Sequence, residues 1–120
     1  MQHITAPELA ALLKNPGSDA AVDAAANTDS NVLPILLDVR EPSEHQLCCI
    51  AGSVPMPMNT VPAHIDQLDR DTPIVCICHH GARSLRVAHF LEQNGFTQVS
   101  NLTGGVHAWA QQVDPSMPVY

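Results

Sequence analysis

The sequence predicts an α/β domain whose mostly parallel sheet is covered by helices on both faces. Three observations carry that expectation. Short continuous apolar runs at 35–39 and 74–78 read as strands buried on both faces. Segments with helical spacing separate them, the order expected of a parallel sheet with crossover helices. The chain has 120 residues, which makes 1–120 a single domain able to bury roughly two thirds of its unfolded surface.

The elements follow in order. Thr5 and Glu8 have capping-box spacing, with Pro7 tolerated in the first turn. Leu9, Leu12 and Leu13 then continue at helical spacing until Asn15-Pro16-Gly17 stops the run. Residues 15–34 are rich in Ala, Asp, Asn and Ser and read as a surface insertion, the alternative being a helical turn at Ala20–Ala26. Ile35–Val39 is a buried strand, and Pro42 opens a helical turn through Glu44 and Leu47. Ser53–Pro57 holds only a very short strand between prolines, and Val61–Leu68 a short helix with Val61, Ile65 and Leu68 on one face. Ile74–Cys78 is the most apolar strand. A helix over 84–94 turns Leu85, Ala88 and Leu91 to the core with Val87 flanking them, and Gly95 ends it. Phe96–Leu102 reads as a strand and Gly104–Gln112 as a last short helix anchored by Trp109.

Composition narrows the function. Five Lys and Arg against twelve Asp and Glu leave a net charge of −7. Nucleic acid and anionic membranes reward a basic face, so neither is expected as a partner. No apolar run reaches the ~20 residues that span a bilayer, and the opening MQHITAPELAALLK lacks the pattern of a signal peptide. Four clustered cysteines, Cys48, Cys49, Cys76 and Cys78, do not make a disulfide scaffold. A reducing compartment, the cytoplasm, is the expectation, and there a thiol serves chemistry more often than cross-linking.

The chemistry concentrates in Cys78-His79-His80-Gly81-Ala82-Arg83-Ser84. This segment leaves the carboxyl end of a buried strand and feeds a helix, the place where α/β sheets build ligand sites. Converging backbone amides and a helix N-terminus favour an anion and so the thiolate, the nucleophilic form of cysteine. Gly81 frees the loop backbone, while Arg83, with Arg86 one turn on, adds positive charge. From spacing alone, Cys78 is also readable as a small buried hydrophobe ending a strand.

Four motifs resemble the rhodanese-like (sulfurtransferase) family, particularly its single-domain members, over about residues 33–112. They are Leu37-Asp38-Val39-Arg40-Glu41-Pro42 with Glu44, Ile50-Ala51-Gly52-Ser53 with Pro55, Cys78-x-x-Gly81-x-Arg83-Ser84, and Gly104-Gly105-Val106-x-Ala108-Trp109. Cys49 departs from the His that the family often carries in the second motif. The resemblance implies a catalytic Cys78 that takes a sulfane sulfur from thiosulfate or a similar donor and passes it, through a persulfide, to cyanide or a thiol. It implies a substrate cradle of His79, His80, Gly81, Ala82, Arg83 and Ser84, no cofactor, and a sulfur-relay protein as a further partner.

The other polar residues read as structural or lining. Asp38 and Arg40 suit an ion-pair network at a strand end, and His79 and His80 suit the pocket wall. Cys76, Cys78, His79 and His80 could suggest a metal, but structural zinc draws ligands from two separated pairs, so no metal is expected. Cys76 reads as core packing and Cys48-Cys49 as solvent-shielded helix residues. Two rivals remain: a non-enzymatic module of the same fold, and a cysteine phosphatase or arsenate reductase. The latter use Cys-x5-Arg, whereas Cys78 and Arg83 form Cys-x4-Arg, a smaller basket that suits a sulfur atom.

Overall fold

A computed structural model of the chain describes residues 1–14 and 34–118. The proposed insertion at 15–34 lies outside the described residues except for Pro34. Five strands form one sheet: β1 (Gln2–Ile4), β2 (Ile35–Asp38), β3 (Val54–Pro55), β4 (Ile74–Ile77) and β5 (Val99–Leu102). Their spatial order is β1-β5-β4-β2-β3, and every pairing is parallel. The α-helices are α1 (Ala6–Lys14), α2 (Pro42–Leu47), α3 (Val61–His64), α4 (Ala82–Gln93) and α5 (Gly105–Gln112). None of the described helices is long and apolar enough to cross a membrane.

β4 is buried at all four positions, because it lies between β2 and β5 with a layer on each face. Side chains alternate along a strand, and the two cores follow that period. Ile74 and Cys76 pack with Leu37, Val87, Ala88 and Leu91 beneath α4. Val75 and Ile77 pack with Leu9, Leu36, Leu102, Val106 and Trp109 beneath α1 and α5. Trp109 is the anchor expected of it, and Cys76 is core. Burial pushes the Cys76 thiol up to about 12, with Cys78 adding to the shift.

The capping box opens α1 as expected: the Thr5 amide donates to Glu8 Oε1 at 2.9 Å and the Glu8 amide to Thr5 Oγ1 at 3.3 Å. Several boundaries differ. β1 was not anticipated, since its three residues are mostly exposed and pair only with distant β5. The 61–68 helix is shorter, with Val61–His64 α-helical and 3-10 turns at Met58–Thr60 and Ile65–Gln67. β5 starts at Val99 rather than Phe96, though Phe96 is buried. α4 starts at Ala82, and its core face is Ser84, Val87, Ala88 and Leu91. Leu85 is only half-buried, because buried polar partners hold Ser84 inward and turn the helix accordingly. Cys48 is buried but Cys49 is exposed. Both lie beyond α2, so the reading of the pair as shielded helix residues does not hold.

Candidate functional site

Cys78 follows β4 directly, and its side chain is 1% exposed. The Gly81 amide donates a hydrogen bond to Cys78 Sγ at 3.0 Å. The Ser84 hydroxyl lies 3.3 Å from the same sulfur and also reaches the Gly81 carbonyl at 3.2 Å. Its shortest contact is the side-chain oxygen of Asn101, and the Asn101 amide donates to the Gly81 carbonyl at 3.3 Å. The cradle is therefore one amide and one hydroxyl at the sulfur, tied through Asn101 to β5.

Two glycines permit this packing. Gly81, at φ +108°, caps α4 in a conformation that side chains oppose. Gly105 has φ +59°, and a Cβ there would stand 2.2 Å from the Cys78 carbonyl oxygen. This close approach lets α5 fasten the loop from above: the Val106 amide donates to the Cys78 carbonyl at 2.9 Å and the His107 amide to the His79 carbonyl at 3.1 Å.

Arg83 is half-buried and grips Glu44 of α2 with both guanidinium arms, at 2.8 and 2.9 Å. Its charge is balanced by a carboxylate, a feature that spacing along the chain does not reveal. Glu44 Oε1 also accepts the Glu41 amide at 3.1 Å, so the carboxylate is held at both ends. Beneath it, Arg40 and Asp38 are each 1% exposed. Arg40 donates to Asp38 at 2.6 Å and to the Cys48 carbonyl at 2.7 Å. This is the expected structural network, and it braces the segment between β2 and Cys48.

The remaining predicted residues also gather here. His79 is half-buried, while His80 and Ala82 are exposed. His79 and His80 lie with His107 of α5, their ring centroids 3.9, 4.9 and 6.0 Å apart. One ring nitrogen from each of the three falls within 4.8 Å of the others. Cys76 belongs to the core instead. Sequence reasoning missed Asn101 and His107. Asn101 follows another polar residue, Ser100, in a short strand and gave no distinguishing signal; His107, inside the closing motif, gave none either.

Comparison with known proteins agrees with this geometry. The family model described as rhodanese-like domain matches residues 6–112. The rhodanese-like/PpiC domain-containing protein 12 of Arabidopsis thaliana, a chloroplastic protein, is 36% identical over 89 residues, which are 71% of this chain and 30% of that one. A sulfurtransferase of Allochromatium vinosum is 35% identical over 77 residues, 64% of this chain and 72% of that one. Among solved structures, the rhodanese-related protein of Thermoplasma volcanium superimposes with a TM-score of 0.74 at 28% identity, covering 100% of this chain and 98% of that one.

Proposed function

The chain belongs to the rhodanese-like domain family, and from that premise we propose that it is a sulfurtransferase working through a persulfide on Cys78. The Cys78 thiolate attacks the outer, sulfane sulfur of thiosulfate or a similar donor. The sulfur–sulfur bond of thiosulfate breaks and sulfite leaves with the bonding pair. Cyanide or a thiol then attacks the terminal sulfur, forming thiocyanate or a new persulfide and returning the Cys78 thiolate. An acceptor thiol on a sulfur-relay protein fits the same step. The reading includes a reducing setting such as the cytoplasm, because the cycle needs a free thiol.

One observation carries the proposal. The Cys78 sulfur sits at the end of β4, accepts a hydrogen bond from the Gly81 amide and has the Ser84 hydroxyl at 3.3 Å. Donors fixed around a sulfur stabilise negative charge both on the attacking thiolate and on the terminal sulfur of a persulfide. His79, His80, Gly81, Ala82, Arg83 and Ser84 form the surrounding cradle in this reading. The four-residue spacing between Cys78 and Arg83 supports sulfur over a tetrahedral oxyanion as cargo.

Intact mass spectrometry tests it. Thiosulfate is expected to add one sulfur atom to the protein, and cyanide to remove it as thiocyanate. Cys78→Ser is expected to show neither. An adduct that persists in Cys78→Ser moves the chemistry to another cysteine, and turnover of p-nitrophenyl phosphate by the parent would favour the phosphatase class.

A further inference from the structure

We propose that His79, His80 and His107 form a binding site for a borderline divalent transition-metal ion of the Zn2+, Ni2+ and Cu2+ group. The three residues come from two segments, the loop after β4 and the first turn of α5. They converge because the His107 amide donates to the His79 carbonyl at 3.1 Å. That bond exists because Gly105 lets α5 close on the loop. The two backbones are thus registered before any ion arrives, which lowers the ordering cost of binding.

The donor set selects the ion. One nitrogen from each ring lies within 4.8 Å of the others. A tetrahedral ion with bonds of ~2.0–2.1 Å needs nitrogens ~3.4 Å apart, a closure that side-chain rotation supplies. All three ligands are imidazoles, and imidazole suits zinc, copper and nickel, whereas calcium and magnesium require oxygen. Three protein ligands leave one position of a tetrahedral ion open.

A second observation points the same way. His107 Nδ1 is buried and has no hydrogen-bond partner among the described residues, although leaving a buried polar atom unpaired is costly. A net charge of −7 also favours accumulation of cations at the surface. The expectation of no metal weighed only Cys76, Cys78, His79 and His80. It could not include His107, which folding brings from a distant segment.

The test is titration of the metal-free protein with Zn2+ against a chromophoric chelator, repeated with Co2+ as a spectroscopic probe. One equivalent of Zn2+ is expected to bind. His107→Gln and, separately, His80→Asn on the exposed loop are expected to weaken it by about tenfold or more through loss of a ligand. Cys49→Ser is expected to leave it unchanged. Circular dichroism checks that each variant is folded. The Co2+ form is expected to show d–d bands without thiolate-to-cobalt charge transfer. Absence of stoichiometric binding, equal affinity in folded His107→Gln and His80→Asn, or a thiolate charge-transfer band would each overturn the assignment. The readout is metal affinity, so its failure would leave the sulfurtransferase reading standing.

Discussion

Gly105→Ala is the substitution with the most legible cost. A Cβ at Gly105 would meet the Cys78 carbonyl oxygen at 2.2 Å and the His79 carbonyl oxygen at 2.5 Å. Both oxygens are backbone atoms and cannot rotate away. Either α5 or the Cys78 loop must retreat by roughly 1 Å, and strain of this kind costs about 1–3 kcal/mol. The retreat also stretches the bonds from the Val106 and His107 amides, each worth about 0.5–1.5 kcal/mol. The positive φ of +59° adds about 1–2 kcal/mol for any side chain. Together these give a loss of about 3–8 kcal/mol. At about 4 °C per kcal/mol for a domain of this size, the melting temperature falls by about 12 °C or more. Gly52→Ala is the control, since Gly52 has φ +86° and no atom within 4 Å of its Cβ position. It carries the backbone strain alone, about 1–2 kcal/mol. Thermal melts of both variants beside the parent measure the difference. If Gly105→Ala melts within about 2 °C of Gly52→Ala, the close approach of α5 to the Cys78 loop is not what the geometry describes.

Arg83→Gln is expected to lower kcat/KM for thiosulfate by about 1–3 kcal/mol in transition-state terms, because it leaves the Glu44 carboxylate facing a dianion. Glu44→Gln is expected to raise it, since Arg83 loses its balancing charge; steady-state kinetics at two salt concentrations would show no change in either if the pair only braces the loop. Arg40→Lys is expected to cost about 3–5 kcal/mol in denaturant unfolding, since it strands Asp38 in a buried site that a lysine cannot satisfy bidentately. Stability is expected to fall as pH rises above 9.0, because the folded state keeps the Cys76 thiol protonated up to about 12 while the unfolded chain releases that proton at the ordinary value. The slope from this one group approaches about 1.4 kcal/mol per pH unit, and Cys76→Ala should flatten the decline by that amount in unfolding measured between pH 9 and 10.5.

Local chemistry was legible and long-range assembly was not. Thr5 with Glu8 and the apolar 74–77 run act within a few residues, so their meaning is written in adjacent positions. Cys78 with Gly81 is local in the same way. β1 has no such signature: Gln2 and His3 are exposed, and parallel pairing with Ser100 and Asn101 defines it as a strand. Leu85 was the natural core residue by hydropathy, yet Ser84 occupies that place, its hydroxyl lying among Cys78 Sγ, the Gly81 carbonyl and the Asn101 side-chain oxygen. Arg83 looked like free positive charge, because its partner Glu44 lies 39 positions away.

The fastening of Cys78 by Asn101, Val106 and His107 has a consequence for how the protein is made. Synthesis runs from the N-terminus, so Cys78 leaves the ribosome before the residues that hold its loop. A nascent chain ending before Asn101 contains β2, β4 and a thiol with no fixed surroundings. β1 waits as well, for its sheet partner β5 follows Cys78 in the chain. Pairing of β1 and fastening of the Cys78 loop both wait on the segment from Val99 to His107, and the cysteine acquires its surroundings only when that segment has folded.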